Sequence, residues 1–384
     1  MKQYNPVKIP SQYGIPTIPY LEKVLHGRLA LKEKVKEQIR FANPIIEREN
    51  QGIVYRNTIN VLQGKAGAHK SRLIEIFCSC ILSVKIVSDL VGFVKYCLSE
   101  VFTLLYVDTE RNTKDQFPFA LQKIIKKAGF SPENQPENFD FISLIEVARE
   151  NRLEVLQQYI DRLRETNSGH IIIVLDVITD LISNFNDPRE SMKLIDYMNS
   201  LINTQNVTFL CIIHENPSSG DKARGHLGTE IMNKASLQMQ IAFEKTKNNE
   251  DTDLIKVKYL KTRVGKRPEP FHLVYSEMKK SLVVADDALI AEVDNSKKYH
   301  AYIDSVTTRL MVVLTAPMKR GELIEDLKGF FKCSKNTVLD RLKEIYEKQL
   351  PITDKDGSVY NLQKGKEGKE TTYYLTSKDE KIDL

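Results

Sequence analysis

From residue 53 the chain alternates short apolar runs with amphipathic ones. IVYRNTINVL, FTLLYV, HIIIVLD and VTFLCII read as strands, and FDFISLI is a further apolar piece between helical segments. SRLIEIFCSCIL, FALQKIIKKAG, RLEVLQQYIDRLRET and PRESMKLIDYMNSLI repeat their apolar residues at helical spacing. Strands that are apolar throughout must be covered on both faces, so this order predicts an α/β fold, a mostly parallel sheet with helices on either side. After about residue 235 the rhythm shortens. SLQMQIAF, LIKVKYLK, PFHLVYS and SLVV follow one another closely with turns such as NNEDTD, which predicts an antiparallel extension of the same sheet.

Three segments follow from this pattern. Residues 1–45 are a proline-punctuated lead and a charged helix (LALKEKVKEQIR), either an arm that packs on a neighbouring subunit or a solvated cap. Residues 46–288 hold the α/β pattern, and VADDALIAEVDNSKKY separates it from a different arrangement over 298–384.

The 384 residues are 41% hydrophobic and 28% charged, which excludes a disordered chain. The net charge of +5 permits a nucleic-acid partner without requiring one. Leu73 to Val94 is the most apolar run, but Glu75, Ser79, Lys85 and Asp89 interrupt it, so it reads as a buried helix and not a membrane span. No signal-like apolar core opens the chain, and the five scattered cysteines suit a reducing compartment. A soluble, cytoplasmic protein with no membrane partner is the expectation.

Candidate chemistry centres on GKAGAHKS, Gly64–Ser71. The pattern G-x-x-x-x-G-K-[ST] binds phosphates with backbone N–H groups, so small residues must line it. Gly64, Ala66, Gly67 and Ala68 meet that need, and Lys65, His69 and Arg72 complete the candidate nucleotide-binding stretch. Lys70 is placed for the terminal phosphates and Ser71 for Mg²⁺. His69 stands where the second glycine belongs. Either its side chain points out of the cradle, or it donates to a phosphate oxygen, or the loop has ceased to bind nucleotide. Asp176 closes an apolar strand, where a metal's second shell is held. Asp108 and Glu110 close another, and Glu110 is the candidate base for an attacking water.

The succession GKAGAHKS, YVDTE, IIIVLDVITDL, LCIIHENP, ARGHLGTEIMNKASLQMQI and VKYLKTRVGKRPEPFHLVY resembles the RecA superfamily of ATPases, closest to its plasmid- and mobile-element-borne hexameric helicase branch. The resemblance spans roughly residues 45–285 and implies ATP and Mg²⁺ as ligands. It also implies that Glu110 is the catalytic base, that His214 senses the γ-phosphate, and that Lys261 and Arg263 reach a neighbouring subunit's nucleotide, hence a homo-oligomer such as a hexamer. Read alone, His214 is better taken as a hydrogen-bonded structural histidine, and Lys261 and Arg263 also read as a strand edge kept charged against edge pairing.

In that family the loop after the fourth core strand touches single-stranded DNA, which assigns the role to Lys222, Arg224 and His226. TRLMVVLTAP, KRGELIEDLKGFF and SKNTVLDRLKEIYEKQ read as three helices, the last capped by Ser334, and VYNLQ and TTYYLT as two strands. This segment resembles a winged helix-turn-helix domain. The likeness implies duplex contacts by Lys335, Asn336, Thr337 and Arg341, with Lys364 and Lys366 on phosphates. Acids nearly balance bases across the segment, so a protein–protein module fits as well. Beside a DNA-stimulated motor, the chain also reads as a nucleotide-gated DNA-binding regulator, or as a RecA-fold signalling kinase that needs no DNA.

Overall fold

The computed structural model describes residues 20–216, 222–246, 250–297, 301–354, 356–368 and 370–377. The described residues up to Ala242 form one compact unit with Ile255–Val284; Phe243–Leu254 and the described residues from Ala285 form the other. The N-terminal lead through residue 19 and part of the predicted 215–230 loop lie outside the described residues.

The first unit opens with α1 (Tyr20–Lys34), which begins nine residues before the predicted LALKEKVKEQIR helix and ends inside it. Leu21, Val24, Leu25, Leu29 and Leu31 all stay exposed on it. Three short strands, β1 (Pro44–Arg48), β2 (Gln51–Tyr55) and β4 (Phe93–Lys95), form a small antiparallel sheet in the order β2-β1-β4. The expected single strand IVYRNTINVL is therefore two, β2 and β3 (Ile59–Gly64). Asn57 turns the backbone at φ 57°, and the Thr58 hydroxyl donates to the Tyr55 carbonyl at 2.6 Å. Likewise the predicted 73–94 helix stops early: α2 (Lys70–Leu82) ends where Ser83 becomes extended, and the chain continues into β4.

Next come β5 (Thr103–Asp108), α3 (Gln116–Lys127), β6 (Phe139–Ser143), α4 (Arg149–Thr166), β7 (Ile171–Asp176), α5 (Pro188–Gln205), β8 (Val207–His214) and α6 (Gly225–Lys234). Then follow β9 (Leu237–Lys245) and β10 (Asp251–Thr262), whose residues within Phe243–Leu254 belong to the second unit, and β11 (Phe271–Ser276) and β12 (Ser281–Val284). The large sheet runs β12-β11-β10-β9-β3-β8-β7-β5-β6. β6, β5, β7, β8, β3 and β9 pair parallel, whereas β10, β11 and β12 pair antiparallel. The fold is thus mixed α/β with a mostly parallel central sheet flanked by helices. SLQMQIAF departs from expectation by joining the parallel set beside β3. Every residue of β3, β5 and β7 is buried. Ile171, Ile173, Leu175, Phe209 and Ile213 pack with Leu156, Leu194 and Met198 of the covering helices. Four cysteines are buried as small apolar side chains, and Cys97 is half-buried.

The second unit holds α7 (Asp287–Lys297), α8 (Ile303–Val313), β13 (Met318–Lys319), α9 (Arg320–Phe331), α10 (Lys335–Glu347), β14 (Ile352–Thr353), β15 (Val359–Glu367) and β16 (Glu370–Ser377). Its antiparallel sheet has the order β13-β16-β15-β14 and packs Leu362 and Tyr373 against Leu310, Leu327 and Leu342 of the helices. Ser334 caps α10 by accepting from the Thr337 N–H at 3.1 Å. No described helix is long and apolar enough to cross a membrane.

Candidate nucleotide site

The six parallel strands bring their carboxyl ends to one edge, where Gly64, Asp108, Asp176 and His214 terminate β3, β5, β7 and β8. Gly64 is required by closeness: a Cβ there would lie 2.4 Å from the Ile241 carbonyl of β9. Gly67 follows at φ 78°, and the loop closes with His69 at φ 62°, ψ 23°, directly before α2. The usual glycine is explained by this left-handed backbone, which costs a side-chain-bearing residue about 1 kcal/mol. His69 bears it with its ring stacked on Tyr275 of β11, centroids 5.3 Å apart and planes 9° from parallel. Its Nδ1 lies 2.8 Å from Arg72 Nη1, and the Arg72 guanidinium sits 4.1 Å over the same Tyr275 ring. Burial of the imidazole, aided by the Arg72 charge, pushes the His69 pKa down to about 4. Since arginine only donates, the neutral ring accepts through Nδ1.

Lys70 is buried at the base of the loop and donates to the Lys65 carbonyl at 2.7 Å. Burial pulls its pKa down against the nearby carboxylates of Asp176, Glu110 and Glu215. Its Nζ is also 3.2 Å from His214 Nδ1. An ammonium can only donate, so Nδ1 of His214 accepts and Nε2 carries the proton. That Nε2 lies 3.3 Å from Glu110 Oε1. The bond from His214, ahead of the opposing effect of burial, holds the Glu110 carboxyl below its ordinary range.

Ser71 Oγ donates to Asp176 Oδ1 at 3.2 Å, and Asp176 Oδ2 accepts from the Tyr106 hydroxyl at 2.7 Å and from Arg111 Nη2 at 2.9 Å. Arg111 further binds Asp108 through Nε at 2.6 Å and Glu75 through Nη1 at 3.1 Å. Burial nonetheless raises the Asp176 pKa. Neither Tyr106 nor Arg111 was legible as a site residue, because strand and turn patterning says nothing about which cation a buried carboxylate pair will recruit.

Glu110, Lys70, Ser71, His69 and His214 face a cavity of about 430 Å³ that continues past Gln116 and Phe119. Ser71 and Asp176 present hard oxygen ligands next to a cradle for phosphates, which fits Mg²⁺ held jointly by one or two protein oxygens and phosphate oxygens. Among the described residues no three His, Cys, Asp or Glu side chains gather to hold a metal by themselves.

Beside His214, Glu215 is buried. Its Oε1 accepts from Gln63 and Gln240, each at 2.7 Å, and Gln238 joins through Gln63. Residues 214–216 pair with 222–224: Arg224 N–H donates to the His214 carbonyl at 2.8 Å, Glu215 bridges Ala223, and Asn216 N–H donates to the Lys222 carbonyl at 3.0 Å. Lys222 and Arg224 are exposed, and Arg224 lies 4.9 Å over the Phe185 ring. His226 is half-buried in the first turn of α6, its Nδ1 enclosed.

Lys261 and Arg263 do not line the cavity. Lys261 Nζ donates to the Met232 and Asn233 carbonyls at 2.7 and 3.0 Å, and Arg263 Nη2 to Asn233 at 2.7 Å, so both cap the carboxyl end of α6. In the second unit Lys335 and Asn336 are exposed, but two predicted contacts are turned inward. Thr337 is buried with its hydroxyl 2.9 Å from Ser334 Oγ, because the cap draws it under the helix start. Arg341 Nε donates to the Ala301 carbonyl at 3.0 Å and its Nη1 to Glu344, which ties it to its own unit. Lys364 and Lys366 stand on β15 itself, before the turn expected to carry them, and Lys364 Nζ is 3.8 Å over the Tyr346 ring.

No family model matches the chain, and no curated protein matches it. Among solved structures it is similar to the RadB recombinase at 12% identity, over 60% of this chain and 92% of that one, with a TM-score of 0.41. The reading of the site therefore rests on its own geometry.

Proposed function

We propose that the chain is a RecA-like P-loop ATPase that hydrolyses Mg²⁺-ATP and acts on DNA as a helicase, translocase or loader in replication or mobilisation of a mobile element. The observation that carries this reading is the convergence of Lys70, His214 and Glu110 in one hydrogen-bonded line beside the Ser71–Asp176 pair. Loop amides and Lys70 bind the phosphates. Ser71 and Asp176 would hold Mg²⁺, which when bound would offset the negative charge on the phosphoryl oxygens. Glu110 takes a proton from the attacking water as the new P–O bond forms and the bridging P–O bond to ADP breaks. His214 donates a hydrogen bond from its Nε2–H to Glu110 in the absence of nucleotide and to a terminal phosphate oxygen in its presence, which frees the Glu110 carboxylate to act as base.

Lys261 and Arg263 leave the α6 carbonyls to serve a neighbouring copy's nucleotide, and the exposed leucines of α1 supply a contact between copies. Lys222 and Arg224 offer charge to a single strand. The three helices and β15–β16 ribbon act as a winged helix, with Lys335, Asn336 and Lys366 meeting a duplex. The test is ATP turnover with and without single-stranded DNA, for the natural chain, Lys70→Ala and Glu110→Gln. DNA-stimulated turnover lost in both variants supports the motor.

One observation favours a second reading. Glu110 is occupied by His214 at rest, which suits a nucleotide-gated regulator that switches state with little turnover. Nucleotide binding without hydrolysis under any DNA condition selects it, and absence of binding defeats both.

A further inference from the structure

We propose that Tyr275 is a positioning residue for the phosphate loop: from β11 its ring holds His69 in the left-handed conformation that a glycine would adopt unaided. This rests on the reading of Gly64–Ser71 as a nucleotide cradle.

At φ 62°, ψ 23° His69 sits where most L-residues are strained, immediately before the first helical N–H groups of α2. Those N–H groups are the loop's anion donors, so their aim depends on His69 keeping this conformation. A glycine adopts it at no steric cost but also leaves it freely. Histidine at this position needs an external restraint, and the stack supplies one. Tyr275 presents its ring 9° from parallel to the imidazole, and Arg72, one turn into α2, lies 4.1 Å over the same ring while donating to His69 Nδ1. Three side chains from the loop, the helix and the sheet extension thus brace one backbone torsion. Tyr275 itself is fixed by β-sheet pairing opposite Leu282. The antiparallel strands, which carry none of the predicted catalytic groups except Lys261 on β10, acquire a role at the phosphate site.

The test is a double-mutant cycle on the full chain, read as binding of a fluorescent ATP analogue. Tyr275→Ala is expected to weaken binding about tenfold and Tyr275→Phe, which keeps the ring, to stay within about twofold. In a His69→Gly background Tyr275→Ala should change binding by less than about twofold, since no strained residue remains to brace. An equal loss in both backgrounds, or no loss in either, overturns the proposal. Amide hydrogen exchange at Gly67–Ser71 gives a readout that does not require nucleotide. It should quicken in Tyr275→Ala but not when His69→Gly is also present, and unchanged exchange in Tyr275→Ala overturns the proposal. If the natural chain binds no nucleotide, the reading of the cradle fails while exchange still decides the role of Tyr275.

Discussion

His214 Nε2 lies 3.3 Å from Glu110 Oε1 while Lys70 holds the opposite ring nitrogen at 3.2 Å, so one imidazole links the candidate base to the candidate phosphate lysine. Two outcomes follow for turnover. Glu110→Gln should lower it about 10²- to 10⁴-fold with nucleotide binding retained. His214→Ala removes the bond that depresses the Glu110 pKa, so that pKa rises toward its ordinary 4.5. A depressed carboxyl stays ionised to lower pH. The acid limb of the kcat/KM–pH profile, which reports the nucleotide-free enzyme, should therefore move to higher pH in His214→Ala, and an unmoved limb would show that His214 does not tune Glu110.

Arg111 is the shared partner of Asp108, Asp176 and Glu75, whose side chains are only 1%, 3% and 9% exposed. Removing one member of such a cluster strands buried charge. Arg111→Ala should destabilise the first unit by about 3–5 kcal/mol in urea unfolding. A loss below about 1 kcal/mol would place the cluster with exposed ion pairs.

His170 is 5% exposed and bonds Asn206 Oδ1 and Thr208 Oγ1 at 2.7 and 2.8 Å. Burial, reinforced by the charges of Arg56 and Arg164, lowers its pKa from 6.5 to about 4. The native state therefore resists a proton that the unfolded chain accepts. Stability is full above pH 6.5 and declines as pH falls toward about 4, with up to about 3 kcal/mol at stake. His170→Asn should be less stable at pH 7 and show a flatter decline between pH 6.5 and 4.5, measured as urea midpoints.

Lys261 and Arg263 serve the α6 carbonyls within one copy, so in-cis and in-trans roles differ experimentally. Lys261→Ala/Arg263→Ala should lose turnover yet bind nucleotide. Mixing it with Glu110→Gln should restore part of the activity, because each supplies what the other lacks at a shared interface. Failure of complementation at all mixing ratios would confine both residues to helix capping.

Much of the fold was legible because its signals are one-dimensional. Unbroken β-branched runs such as HIIIVLD can only be central strands, and Ser334 announces the start of α10 by its own hydrogen bond. The carboxyl-edge residues Lys70, Ser71, Glu110, Asp176 and His214 also came from order along the chain. What stayed hidden depends on partners distant in sequence. Tyr275 meets His69 across about two hundred residues, and Arg111 reaches Glu75 and Asp176 from a turn that reads as solvent. The division of IVYRNTINVL depends on a hydroxyl closing on a carbonyl three residues back, which apolar periodicity does not encode. Thr337 was misplaced for the opposite reason: a good cap turns inward the very residue it binds.

Past β8, Glu215 is anchored between the neighbouring strands. Its carboxylate is tied to β3 and β9 through Gln63 and Gln240, and on either side of it the backbone of His214 and Asn216 bonds that of Arg224 and Lys222. The bond from the Arg224 N–H to the His214 carbonyl therefore sets these cationic residues one backbone rung from the imidazole, with no relay of side chains between them.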